Sequence, residues 1–270
     1  MAITSPRRRA NPDATMPLRE HLRELRSRLF KAAVFLLLGS VAGWFLYDPV
    51  LQALAQPLFD LAKDSHRNVL PNLGGVTQAF DLKIKLSVFI GAIVSSPLWI
   101  YQLWAFVTPG LTSKERRYAL GFLGAAVPLF LCGAWLAYLF IPNAVRFLVS
   151  FTPQGYANFL SVPDYLGFVM RIILAFGVAF LIPVLLVALN MIGLLRGRTL
   201  LKAWRWVVVI GFTFAAMATP TPDVLSMFLL ALPLLALFGV AIVICLLNDR
   251  RRDRRREEFA DLGDDEASPL

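Results

Sequence analysis

The stretch LGFVMRIILAFGVAFLIPVLLVALNMIGLL, residues 166–195, decides the fold class, because Arg171 is the one charged residue in it. A helix that spans a bilayer needs about 20 mainly apolar residues, and this run is longer than that. The rest of the chain has the same character, since 57% of the 270 residues are hydrophobic. A soluble domain of this length is less apolar, so the sequence predicts an all-α membrane protein.

Five further apolar runs have the length of a membrane span or come close to it, which predicts six transmembrane helices. The fifth helix is short: about 15 residues at 1.5 Å each cover roughly 22 Å, against a hydrocarbon core of ~30 Å. Two explanations for this length stay open, since the bilayer can thin around the helix or Arg205 can snorkel and lengthen the span. The predicted spans are approximately 29–47, 86–106, 118–141, 166–195, 204–218 and 224–247.

The basic residues fall on one side of this six-span topology. Of the 27 lysines and arginines, 21 lie in the N-terminal segment, the second-to-third and fourth-to-fifth connections, and the C-terminal tail. We call this the basic side and the other the opposite side. Because lysine and arginine are retained in the cytoplasm, the sequence predicts that the basic side, with both termini, is cytoplasmic. The net charge of +9 therefore indicates membrane topology rather than a nucleic-acid partner.

The segments outside the apolar runs predict three further features. On the opposite side, DPVLQALAQPLFDLAK (48–63) has leucines at helical spacing, which predicts an amphipathic helix that caps the first outer loop. Before the first run, leucines at 18, 22, 25 and 29 predict that the first helix begins near Pro17 and protrudes into the cytoplasm. We expect 1–16 to be a basic disordered N-terminus, 17–248 the membrane domain, and 249–270 a charged disordered tail.

Catalytic and metal-binding patterns are missing from the sequence. It has no HExxH, no GxSxG, no P-loop and no clustered Cys and His, so we expect neither an enzyme nor a cofactor. Cys132 and Cys245 lie in apolar runs and are interpreted as small hydrophobic residues. The acidic residues lie in termini, loops or helix ends, whereas ion-coupled carriers keep an ionisable group near mid-membrane. Arg171 is expected to snorkel to the interface.

Few carboxylates lie in the structured segments of the basic side, and two of them allow both a local and a recognition role. Glu24 can form an i,i+4 pair with Arg28, and Glu115 can complete a capping box with Thr112. Both could instead attract a partner that carries two adjacent guanidinium groups, because carboxylates bind guanidinium bidentately. In that case the first helix and the second-to-third connection would form one concave site.

Four segments, taken together, resemble the TatC family, the six-helix core of the twin-arginine protein translocase. They are HLRELRSRL (21–29), SSPLWIYQLWAFVTPGLTSKERR (95–117), AFGVAFLIPV (175–184) and TPTPDVLSMFLLALP (219–233). The resemblance implies that Glu24 and Glu115 help to bind the twin-arginine signal peptide, and that Arg26 and Phe106 belong to the same site. It also implies functional roles for Pro57 and Asp223, for which a turn proline and a helix N-cap are the structural alternatives.

The resemblance further implies a receptor and scaffold, without chemistry of its own, that exports folded proteins across the bacterial cytoplasmic membrane. Its partners would be twin-arginine signal peptides and single-span TatA-type and TatB-type subunits in an oligomeric complex driven by the proton-motive force. The sequence departs from many relatives at Leu181 and Met227, which stand where those relatives have glutamate and glutamine. Two alternatives stay open: a small-solute secondary transporter, and an assembly factor without signal-peptide specificity.

Overall fold

The computed structural model describes residues 18–64, 69–72, 74–107, 115–150, 158–218 and 224–260. Over these ranges the chain forms nine α-helices and two short β-strands. In chain order they are α1 (Leu18–Phe45), α2 (Tyr47–Asp64), β1 (Val69–Asn72), α3 (Val76–Val94), α4 (Ser96–Val107), α5 (Glu115–Ser150), β2 (Asn158–Ser161), α6 (Val162–Met191), α7 (Gly197–Lys202), α8 (Trp204–Ala218) and α9 (Val224–Ala260).

The six predicted transmembrane helices are confirmed. Helices α1, α5, α6 and α9 are each long and apolar enough to cross a membrane. Helices α3 and α4 together form another span, which is bent by 62°. The remaining span is α8, whose 15 residues make it the short fifth helix that the sequence predicts. Helix α1 begins at Leu18, so the predicted extension of the first helix beyond its apolar run is also present.

The second span is broken at Ser95, whereas the sequence analysis treated 86–106 as one continuous run. Pro97 lies in the first turn of α4, and its missing N–H interrupts the helical hydrogen bonds. Two side chains satisfy carbonyl groups near the break: the Ser95 hydroxyl donates to the Gly91 carbonyl at 2.6 Å, and the Trp99 indole donates to the Ala92 carbonyl at 2.8 Å. The bend therefore has a local cause and leaves these carbonyls hydrogen-bonded.

Helices α1 and α3 pack closely because small residues face one another along their contact. A Cβ atom on Gly39 would lie 2.7 Å from the carbonyl oxygen of Gly91, and one on Gly91 would lie 2.5 Å from the backbone nitrogen of Ser40. Gly43 faces the carbonyl of Ser87 in the same way. Membrane helices approach closely through such small residues, since apolar surface alone gives no preference for helix over lipid.

On the opposite side, the predicted amphipathic helix is confirmed as α2. Its residues Leu54, Ala55 and Leu58 are buried, so one face of the helix covers the helical bundle. Beyond it, β1 and β2 pair in parallel from Val69 with Asn158 to Asn72 with Ser161. The sequence analysis did not predict these strands. They join the first two loops of the opposite side and leave the all-α class of the membrane domain unchanged.

The largest side chains of the core lie between α5 and α6. Phe130 and Phe176 are fully buried, with 0% exposure. A Cβ atom on Gly177 would lie 2.7 Å from the Phe130 ring, and one on Gly133 would lie 2.7 Å from the Phe176 carbonyl. Glycine at these two positions therefore makes room for the packing of α5 against α6.

Helix α9 extends beyond the predicted end of the membrane domain. The sequence analysis placed a disordered tail from residue 249, but α9 continues as a helix to Ala260. The helix therefore crosses the boundary expected at residue 248, and the division of the chain into domains stays a prediction. At that boundary, the Asp249 carboxylate accepts a hydrogen bond from the backbone N–H of Gly197 at 2.6 Å. This contact holds the Asp249 turn of α9 against the connection that follows α6.

Candidate functional site

Glu24 lies in the second turn of α1 and is held by Arg28 one turn later. The Arg28 Nε donates to Glu24 Oε1 at 2.9 Å, and the Arg28 Nη2 donates to the same oxygen at 2.5 Å. Both side chains are mostly covered, with 25% of Arg28 and 23% of Glu24 exposed. The i,i+4 pair that the sequence allowed is therefore formed, with both guanidinium bonds on one carboxylate oxygen.

Phe106, in the last turn of α4, lies against the same part of α1. Its ring stacks on the His21 ring, with centroids 4.6 Å apart and planes at 24°. Between the two helices lies a cavity of about 200 Å³. The structure therefore brings the Glu24 turn of α1 and the Phe106 turn of α4 to one place. The cavity is lined by Leu25, Arg28, Leu29, Ala32, Trp99, Gln102, Leu103 and Phe106.

Arg26 is exposed on α1. Residues two apart in an α-helix do not face each other, so Arg26 lies on a different face from Glu24 and away from the Glu24–Arg28 pair. The structure therefore does not join Arg26 to that pair, and its predicted part in the site stays a prediction.

Glu115 is the first residue of α5. A carboxylate is stabilised at this end of a helix, where the N–H groups are unpaired. The Glu115 side chain and the preceding residues 108–114, which include Thr112, lie outside the described residues. The capping box and the separation between the Glu24 and Glu115 carboxylates therefore stay predictions.

Pro57 lies inside α2 rather than in a turn, so the turn-proline alternative is wrong. A proline in a helix interior cannot donate to the carbonyl four residues earlier, which is that of Ala53. That carbonyl accepts a hydrogen bond from the Tyr138 hydroxyl of α5 at 3.1 Å. The neighbouring carbonyl, of Leu54, accepts one from the Tyr165 hydroxyl of α6 at 3.0 Å. Pro57 thus leaves α2 with a carbonyl that a tyrosine of the bundle uses.

Asp223 lies outside the described residues, so its predicted role is a prediction still. Of the two departures from the family pattern, Leu181 is buried, with Ile100, Ala126 and Phe130, in an apolar cluster. Met227 is partly buried against the main hydrophobic core. Both side chains therefore take part in apolar packing at the positions where many relatives carry a polar group.

A polar network that sequence reasoning missed joins the basic-side ends of α6, α7 and α9. Asn190, with 1% exposure, donates to Asp249 Oδ1 at 2.8 Å and to the Leu195 carbonyl at 2.8 Å. It accepts from Asn248 at 3.0 Å, while Asp249 Oδ2 binds Gly197. The available signal was a single asparagine at the end of an apolar run, which gives no indication of a partner 59 residues away.

These features define a class: a polytopic α-helical membrane protein with an apolar cavity where its first two spans meet on the basic side. A family model described as "Sec-independent protein translocase protein (TatC)" matches residues 20–233. The chain belongs to the TatC family, as the resemblance in its sequence predicts. It is a component of membrane protein-translocation machinery.

Relatives and solved structures agree with this family. The Sec-independent protein translocase protein TatC of Xylanimonas cellulosilytica is 52% identical over 240 residues, which cover 89% of this chain and 87% of that protein. TatC of Rothia mucilaginosa is 42% identical over 262 residues, covering 97% and 89%. A crystal structure of the twin-arginine translocase receptor TatC is 33% identical, with a TM-score of 0.70, and covers 83% of this chain and 99% of that one.

Proposed function

We propose that this chain is the signal-peptide receptor and scaffold of a twin-arginine translocase that exports folded proteins across the bacterial cytoplasmic membrane. One observation carries the proposal: the Glu24 turn of α1 lies against the Phe106 turn of α4, beside an apolar cavity on the basic side. The alternative of a small-solute transporter is disfavoured by membership of a protein-translocase family. The crosslinking experiment below distinguishes this receptor from an assembly factor without signal-peptide specificity.

The signal peptide would bind through charge first and apolar contact second. Its two arginines pair with Glu24 and Glu115, because a carboxylate accepts two parallel hydrogen bonds from a guanidinium group. Arg26 orients the neighbouring part of the peptide, and Phe106 contacts its apolar residues. The cavity between α1 and α4 has room for one or two such side chains, since its volume is about 200 Å³. No covalent chemistry is assigned to the chain.

The assembly we propose places both termini in the cytoplasm and the single-span subunits outside the bundle. Apolar side chains are exposed along the short span α8, with 70% of Trp206 and 82% of Met217 accessible. Such a surface suits lipid or the transmembrane helix of a TatA-type or TatB-type subunit. Several copies of the chain would take part in the assembled complex, and the proton-motive force would supply the energy. No nucleic-acid partner is proposed.

We assign Pro57 and Asp223 to the opposite side of the same machine. Pro57 supports the docking of α2, because it leaves the Ala53 carbonyl to the Tyr138 hydroxyl. Asp223 directly precedes α9, where a carboxylate interacts favourably with the helix N-terminus. Its role in transport would be to hold the turn between the fifth and sixth spans.

The proposal is tested by site-specific photo-crosslinking from Leu25 and Leu103, which line the cavity and are not assigned to the binding of arginine. Capture of a signal peptide with two arginines is expected, together with loss of capture when both arginines become lysine. Glu24→Gln should abolish capture of the arginine peptide. Glu20→Gln is the matched control, since Glu20 is an exposed carboxylate one turn earlier on α1, and it should retain capture. Equal capture of the arginine and lysine peptides would show that the chain is not the receptor.

A further inference from the structure

We propose that Arg28 occupies the Glu24 carboxylate when no signal peptide is bound, and thereby weakens the binding of every peptide that competes for it. This inference rests on the proposed function, because it assumes that Glu24 receives an arginine of the signal peptide. It assigns Arg28 a role of its own in the site. Arg28 competes with the signal peptide for Glu24 and so lowers the apparent affinity of the receptor for its cargo.

The geometry of the pair supports this role. Arg28 places two nitrogens, Nε and Nη2, on Glu24 Oε1, so a guanidinium group already binds the carboxylate that an incoming arginine would use. Arg28 also lines the cavity beside Phe106, so its side chain stands where the peptide must arrive. Among the described residues, it is the ion-pair partner that Glu24 has. A peptide arginine therefore meets a carboxylate in which one of the two oxygens already accepts hydrogen bonds from a guanidinium group.

Arg28 can also leave the carboxylate without breaking the fold. A quarter of its side chain is exposed, and its partner lies on the same helix. Breaking the pair therefore requires a rotation of the Arg28 side chain and no movement of α1 or α4. The pair is an equilibrium between an occupied and an open carboxylate, and a peptide binds the open form.

Competition of this kind has a defined effect on affinity. The apparent dissociation constant equals the intrinsic constant divided by the fraction of open carboxylate. Pairs one turn apart on a helix are stabilised by only about 0.2–1 kcal/mol, so the occupied form exceeds the open one by about 1.5- to fivefold. Because the fraction is a property of the receptor alone, it multiplies the constants of arginine and lysine peptides equally. Arg28 thus raises the apparent dissociation constants of both peptides and leaves the ratio of the two affinities unchanged.

The test measures binding of a labelled signal peptide to the full-length protein in lipid nanodiscs by fluorescence anisotropy. Arg28→Gln removes the competitor, and Arg28→Lys keeps its charge while losing the two-nitrogen geometry. Arg23→Gln is the matched control, because it removes one positive charge from an exposed position of the same helix. Size-exclusion chromatography and thermal unfolding show that each variant is folded. Peptides with two arginines and with two lysines are compared on each.

We expect Arg28→Gln to tighten the binding of both peptides by about two- to sixfold, at an unchanged ratio, with Arg28→Lys intermediate and Arg23→Gln close to wild type. Unchanged or weaker binding by Arg28→Gln, or equal tightening by Arg23→Gln, would overturn the inference. Glu24→Gln separates the two levels of the argument. If it binds as wild type does, the proposed function and the inference both fail. If it loses binding while Arg28→Gln gains none, only the role of Arg28 fails.

Discussion

The contact between α2 and the bundle leads to a prediction about Pro57 that can be worked out from its hydrogen bonds. Because Pro57 has no N–H, the Ala53 carbonyl depends on the Tyr138 hydroxyl, 3.1 Å away. Pro57→Ala restores an N–H that can serve the same carbonyl within the helix. The Tyr138 hydrogen bond should therefore stabilise α2 in the native protein and contribute little to its stability in the Pro57→Ala variant.

The magnitude follows from the ordinary strength of a neutral hydrogen bond, which stabilises a protein by about 0.5–1.5 kcal/mol net. We expect Tyr138→Phe to lower the free energy of opening α2 by about 1 kcal/mol in the native background and by about zero with Pro57→Ala. The coupling energy of this double-mutant cycle is then about 1 kcal/mol. Tyr165→Phe supplies the matched cycle. Its acceptor is the Leu54 carbonyl, to which the N–H of Leu58, four residues later in α2, can also donate. That cycle should show coupling near zero.

Hydrogen–deuterium exchange of the α2 amides in nanodiscs measures the opening of this helix locally. Loss of about 1 kcal/mol should speed exchange about fivefold, since about 1.4 kcal/mol corresponds to tenfold. Equal effects of Tyr138→Phe with and without Pro57→Ala would refute the reasoning. They would mean that the tyrosine stabilises α2 independently of the carbonyl that the proline leaves open.

Three further predictions concern other parts of the chain. Gly91→Leu should prevent close packing of α1 on α3 and cost about 1–3 kcal/mol or more, read as lost folded yield in detergent; Gly124→Leu, at an open position, should not. Asp249→Asn should lower the free energy of unfolding by about 1.5–3 kcal/mol, measured by SDS titration, whereas Asp253→Asn, exposed one turn later, should have little effect. Glu115→Gln should give a folded, membrane-inserted protein that no longer exports twin-arginine cargo, because glutamine can cap a helix but cannot pair with a cation.

Each of these predictions has an outcome that would contradict it. Similar yields of the two glycine variants would mean that α1 and α3 do not depend on close approach. Equal loss of stability in the two aspartate variants would mean that the loss comes from the change in charge and not from the hydrogen bonds of Asp249. Loss of folding in Glu115→Gln, rather than loss of export, would favour the helix cap over the receptor role.

Properties that depend on short stretches of chain were predictable from the sequence. The six spans and the short fifth helix follow from the length and apolar content of each run, because a bilayer selects segments by those two properties. The amphipathic face of α2 follows from leucines at helical spacing. The Glu24–Arg28 pair follows from a spacing of four on one helix. Each of these features depends on the residues of one helix and on the lipid or water around it.

Only the tertiary structure decided which distant residues meet. The stacking of His21 on Phe106 and the bond from Tyr138 to Ala53 across 85 residues depend on how whole helices pack. The Asn190–Asp249 contact, across 59 residues, depends on the packing of α6 and α9 in the same way. Hydropathy and periodicity describe one helix at a time, so they determine that these helices exist and which side their basic ends share. The pairing of their side chains is set by packing in three dimensions, which no local pattern encodes.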